Sequence, residues 1–267
     1  MINRETALHA FRNYTDHYNT NNILIQSKIV HTFHVADNCE RIARSLHLDE
    51  AEVDFAWLLG LLHDIGRFEQ AERYGTFFDL YSVDHAELGA DILFHDKLID
   101  AFWQPDFTDS MAAVCETAIR VHNKLLLPAD MDRCTKQFSE ILRDADKADI
   151  LRVITEVPFD QRSGTRKKKF RDAEQAGDDV MNCVYGHRCV PRDLVHTRFE
   201  SHISHCCLAF ELVYDCSKRI VLEQGHLDKL LQETDASGCQ IWNDAETEQL
   251  RILKQEIRRC MNTVSNL

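Results

Sequence analysis

Helical periodicity, with no two-residue alternation over any useful length, is the strongest constraint on what this chain can fold into. From Ile23 to Leu46 (ILIQSKIVHTFHVADNCERIARSL) apolar residues recur at three- and four-residue steps through Ile25, Ile29, Phe33, Ala36 and Ile42, the stripe of an amphipathic helix. A second helix is expected from about Glu50 to Asp64 with Gly66 as its stop, then a polar, aromatic loop from Arg67 to Tyr81. Ser82 reads as the N-cap of a third helix, with Asp84 and Glu87 in its first turn, running to about Phe94. Two more helices fit Asp109 to His122 and Thr135 to Val153, with Pro128 closing the connection between them. Past Pro158 the pattern loosens; helical spacing returns from about Asp193 to Leu231 and from Glu246 to Met261. Nine Gly and four Pro in 267 residues leave few breakers, so the chain is read as all-α.

The length suits one sizeable domain with appendages rather than two equal halves. The expected division is an N-terminal extension over 1–22, a core over 23–155 and a helical extension over 156–267 packed on the same bundle. No stretch approaches the 18 uninterrupted apolar residues of a membrane span, and MINRETALHAFRNYTDHYNT has no signal-peptide core. Ten cysteines at irregular spacings, with no CxxC pair, suit reduced thiols; a cytoplasmic location is expected. A net charge of −13 argues against duplex nucleic acid or an anionic membrane as partner. A small anionic substrate would need a local positive centre, and homo-oligomerisation is left open.

One short stretch asks for chemistry: GLLHDIGRFEQ, residues 60–70, sets His63 beside Asp64 behind a leucine run. If the helix ends against the core, the two side chains lie about a hundred degrees apart and approach one point from two directions. Alone, the pair reads more simply as an ion pair at a helix end. Other helices add to it: His31 on an apolar face, His85 at a helix start, His122 at a helix end (AIRVHNK) and Asp146 in a largely apolar helix. Buried polar groups need partners, and four imidazoles with two carboxylates suit a pair of divalent ions: Fe, Ni, Co or Zn for imidazole, with Mn for mixed N/O ligation.

Four phrases, HTFHVA, LLHDIGR, DHAELGADIL and RDADK, together with the order His31, His63-Asp64, Asp146, resemble the HD-domain superfamily of metal-dependent phosphohydrolases over about residues 23–153. The resemblance implies an HD-domain helical bundle with additional C-terminal helices. It further implies one metal held by His31, His63, Asp64 and Asp146, and a second held by His85 and His122, with Asp64 as the bridge. A hydroxide between the metals would attack a phosphomonoester or phosphodiester of a nucleotide or other small molecule, so Asp64 is counted as catalytic. Arg67, where related sequences often have Lys, is the candidate for gripping a phosphate oxygen, with Lys147 a weaker one. The superfamily pattern selects His31 over His34, and the phrase Ala-Asp-Lys favours Asp146 over Asp144. His122-Asn123 stands where the cyclic-dinucleotide phosphodiesterases have a double histidine, and their Gly-Tyr-Pro motif is missing, so cyclic dinucleotides are not favoured. Two alternatives share the ligand set: a diiron oxygenase, and a nucleotide-binding regulator without catalysis.

Other features are read more plainly. Tyr74, Thr76, Phe77 and Phe78 belong to a loop that could cover a pocket. The basic run QRSGTRKKKFRD, with six cations between 162 and 171, reads as a solvated loop. His196, His202 and His205 with Cys206 and Cys207 lack a recognised zinc spacing.

Overall fold

The computed structural model describes residues 2–102, 108–157 and 170–261. Its helices are α1 (Arg4–Thr15), α2 (Ile23–Ser45), α3 (Glu50–Leu62), α4 (Ile65–Tyr74), α5 (His85–Ala90), α6 (Asp109–Val121), α7 (Arg133–Glu156), α8 (Asp178–Tyr185), α9 (Arg198–Cys206), α10 (Asp215–Gln224), α11 (His226–Leu230) and α12 (Asp244–Met261). A turn of π-helix, Asp91–His95, prolongs α5. The described residues form no strand beyond an isolated bridge between Thr234 and Gln240.

The centre of the bundle is α3. Every residue from Val53 to Leu62 is buried, which suits a helix enclosed on all sides. Its start is fixed by a capping box, Asp49 accepting from Glu52 N while Glu52 accepts from Asp49 N, a device that contributes about 1 kcal/mol. Beside it α2 buries Ile25, Val35, Ala36, Cys39 and Ile42, and α7 buries Phe138, Ile141, Leu142, Ala145 and Ala148. Gly60 lets α2 and α3 touch: a Cβ there would lie 2.6 Å from Ala36 Cα.

Gly66 does not stop a helix, in contrast to the sequence expectation. The helix from Glu50 ends at Leu62, and Gly66 falls in the first turn of α4. The glycine is needed for packing, since an added Cβ would meet His85 O at 2.3 Å and Gly89 N at 2.6 Å, so α4 and α5 approach backbone to backbone. The stretch from Arg67 is helical as far as Tyr74 because Ile65, Phe68 and Ala71 bury one stripe on the core. Gly75, at φ 62°, is the actual stop. Ser82 is not the cap of α5 either. Asp84 accepts from Ala86 N at 3.0 Å, whereas Ser82 Oγ donates to Phe78 O at 2.8 Å.

The terminal segments pack on this core. In α1, Phe11 is 1% exposed and meets Phe33 and Phe68 edge-on, and Tyr14 donates its hydroxyl to Ile65 O at 3.2 Å. The loosened region contains α8, which buries Val180, Met181 and Val184. Asp144 ties the C-terminal helices to α7, its buried carboxylate accepting from Val213 N and Tyr214 N, each at 2.9 Å. Most of the basic run at 162–171 lies outside the described residues.

Candidate metal centre

Two helices end in the same way. His63 and His122 are the C-terminal caps of α3 and α6, and each turns its Nδ1–H back to a carbonyl three residues earlier, Gly60 O at 2.7 Å and Ile119 O at 2.6 Å. Carbonyls in a last helical turn lack helical donors, so the contact satisfies the backbone and fixes the ring together. With the proton on Nδ1, each Nε2 presents a lone pair to the interior. His85 and His31 are set by carboxylates instead: His85 Nδ1 lies 2.8 Å from Asp79 Oδ2, and His31 Nδ1 lies 2.6 Å from Asp149 Oδ2.

The four Nε2 atoms converge in two pairs. His31 and His63 bring theirs to 3.3 Å, and His85 and His122 to 3.1 Å. Asp64, in the joint between α3 and α4, divides its carboxylate between them. Its Oδ2 lies 3.6 Å from His31 Nε2 and 3.4 Å from His63 Nε2, while Oδ1 lies 3.5 Å from His85 Nε2 and 3.9 Å from His122 Nε2. Asp146 joins the first pair, with Oδ1 3.1 Å from His31 Nε2 and 3.8 Å from His63 Nε2. The set thus separates into His31–His63–Asp64 and Asp64–His85–His122, each with donor atoms within 4.8 Å of one another.

Several observations fit this donor set to divalent cations. Asp64 Oδ1 is buried and has no hydrogen-bond partner among the described residues, a costly state that a cation relieves. Burial and the Lys28 charge disfavour charge on His31, yet its hydrogen bonds to Asp146 and Asp149 outweigh them and raise its pKa. Burial and the neighbouring imidazoles hold His122 down to about 3, and burial with the Arg67 charge lowers His85, so this pair stays neutral and free to ligate. Asp64 is held well below the usual carboxylate range: burial opposes this, but the Lys28 ammonium, the His63 ring beside it and the Arg67 guanidinium prevail.

His34 is a poor candidate beside His31, since its side chain is 48% exposed and its Nδ1 reaches only to 4.0 Å from Asp149. Asp144 faces the C-terminal segment rather than the cluster. Arg67 reaches the cavity wall, but its Nη1 donates to Gln70 Oε1, Phe77 O and Asp79 Oδ1 at 2.7, 2.7 and 2.9 Å. Lys147 pairs with Glu211 at 2.9 Å. Phe77 and Phe78 line the cavity; Thr76 is buried and Tyr74 is the last residue of α4. His202 donates to Leu230 O, and Cys206 and Cys207 are core residues.

Three residues were missed by the sequence reading. Lys28 places Nζ 2.6 Å from Asp64 Oδ2 and 5.6 Å from the Phe77 ring centroid, and Asp79 and Asp149 orient His85 and His31. Lys28 precedes His31 by three residues and Asp149 follows Asp146 by three, so helical spacing puts both on the faces of the proposed ligands. Asp79, in a connecting segment, left no such signal.

The cluster forms part of the lining of a cavity of about 800 Å³. Residues 29–153, a little under half of the chain, match the family model of the HD domain. No curated protein and no solved structure gives a significant match. No helix among the described residues is long and apolar enough to cross a membrane.

Proposed function

We propose that the chain is a metal-dependent phosphohydrolase that cleaves a phosphomonoester or phosphodiester of a nucleotide or other small molecule. The observation that carries this reading is the divided carboxylate of Asp64, one oxygen facing His31 and His63, the other facing His85 and His122. His31, His63, Asp64 and Asp146 would hold one divalent ion, and Asp64, His85 and His122 a second. Such ions supply Lewis acidity toward a phosphoryl oxygen and acidify water.

The chain's own residues do the rest. Asp149, Gly60 O, Asp79 and Ile119 O keep the four imidazoles in one tautomer and one orientation. Lys28 and Arg67 stand by Asp64 at the cavity wall, where their charge favours an anionic substrate in spite of the acidic surface. The reading is tested by phosphate release from a panel of mono- and diesters, with the protein reconstituted in turn with Mn, Fe, Co, Ni and Zn. Metal-dependent release that disappears in His63→Ala and Asp64→Ala supports it. Turnover unaffected by these changes overturns it, as does iron-dependent O₂ consumption without phosphate release, the signature of the oxygenase alternative.

A further inference from the structure

The cavity continues well past the histidine cluster. Ile150 and Ile154 lie one and two turns beyond Asp146 on α7, so an apolar wall extends about 6 Å and then about 12 Å along the helix axis from that carboxylate. Both isoleucines are only partly buried by the protein. Phe170, Val190, Val195 and Leu208, all outside the residues matched to the HD domain, line the same cavity. Ser201, Ser204 and His205 of α9 add a short polar strip; of the charged residues on this side, Lys147 is paired with Glu211, Arg192 reaches to Asp79 at 3.4 Å, and Asp193 lies at the exposed rim.

We infer that this far end is a subsite for the organic half of the substrate, and that it takes a large, uncharged, largely apolar group of aromatic-ring size rather than a glycerol- or sugar-sized polyol. The inference rests on the phosphohydrolase reading for the position of the phosphate. A polyol against Ile150, Ile154 and Leu208 would give up water without gaining partners, whereas a ring system covers apolar area and presents one edge to the α9 hydroxyls. Substrate choice is thereby placed in the 170–211 segment, while the cluster itself serves any phosphate ester.

The test uses methyl-, phenyl- and 1-naphthylphosphonate, which cannot be hydrolysed, so leaving-group reactivity plays no part. Binding to the full, metal-loaded chain is measured by calorimetry. Naphthylphosphonate is expected to bind at least about tenfold tighter than methylphosphonate, with phenyl between them. In Ile154→Asp and Leu208→Asp the naphthyl-to-methyl ratio should fall to about threefold or less, and Ile154→Leu should restore it. Equal affinity for all three phosphonates in the unaltered chain overturns the subsite, as does a ratio unchanged in both Asp variants. If no ester is hydrolysed yet the ring preference and its loss are observed, the phosphohydrolase reading fails and the subsite stands; hydrolysis without ring preference gives the converse.

Discussion

Replacing Gly66 by Ala adds one methyl group and no charge, yet it should separate the two halves of the centre. The new Cβ would lie 2.3 Å from His85 O, so α4 and α5 must part by about 1 Å to reach the 3.4 Å of ordinary contact. Overpacking against backbone costs about 1–3 kcal/mol, opposed by the roughly 0.5–1 kcal/mol that Ala gains over Gly inside a helix. At about 2–4 °C per kcal/mol for a chain of this size, the net effect is a fall of a few degrees in Tm. His85 is the first residue of α5, so its Nε2 moves with the helix from its place 3.5 Å from Asp64 Oδ1. Metal sites tolerate only about 0.2 Å in ligand distance, so the displacement is several times too large for the second ion. The assay is a thermal melt together with a calorimetric metal titration. Weakened second-site binding with the first site retained is expected. Gly60→Ala, whose Cβ would strike Ala36 Cα at 2.6 Å between α2 and α3, should instead disturb the His31–His63 half. An unchanged melt and wild-type affinity at both sites in Gly66→Ala would refute the reasoning.

Other substitutions probe the groups that orient the centre. Asp149→Asn and Asp79→Asn should each weaken metal binding by about 10–100-fold, through His31 and His85 respectively, as read by competition with a chromophoric chelator. Lys28→Met removes the ammonium 2.6 Å from Asp64 Oδ2, so cation affinity should rise while inorganic phosphate binds more weakly; calorimetry with each reports both signs. Glu200→Gln weakens the buried carboxylate that accepts from Gly177 N, His196 N and Thr197 N, and should cost about 1–3 kcal/mol in denaturant unfolding. Burial opposes charge on Glu200, but these amide hydrogen bonds lower its pKa below the ordinary 4.5. The stabilisation is therefore present above about pH 4.5 and lost as the pH falls through the folded value, so wild type and Glu200→Gln should converge in strong acid.

The long helices were legible because their buried stripes persist over many turns: Ile25 to Ile42 marked α2, and the spacing from Thr135 to Val153 marked α7. Short helices were not. In α4 only Ile65, Phe68 and Ala71 carry the stripe, and Gly66 looks like a stop until α5 is seen lying against it. Of α1, Phe11 and Tyr14 gave no local sign that they would pack on Phe68 and Ile65. His31, His63, Asp64, His85 and Asp146 could be named as candidates from sequence because each sits in a recognisable phrase, and His122 because it ends a helix; the structure brings the six together. The division of Asp64 between two histidine pairs could not, since it depends on the angle at the α3–α4 joint and on which ring nitrogen each backbone carbonyl engages. The far wall of the cavity was equally hidden, because residues 170–211 meet α7 through tertiary contacts such as Lys147 and Arg143 with Glu211.

Asp64 as the bridge between two cation sites is tested most directly by counting ions per chain after reconstitution and desalting, in the unaltered protein and in His85→Ala and Asp64→Ala. Two ions in the unaltered chain, one in His85→Ala and none in Asp64→Ala are expected. A single ion in the unaltered chain that survives His85→Ala would contradict the bridge and leave His85 and His122 as a buried hydrogen-bonding pair.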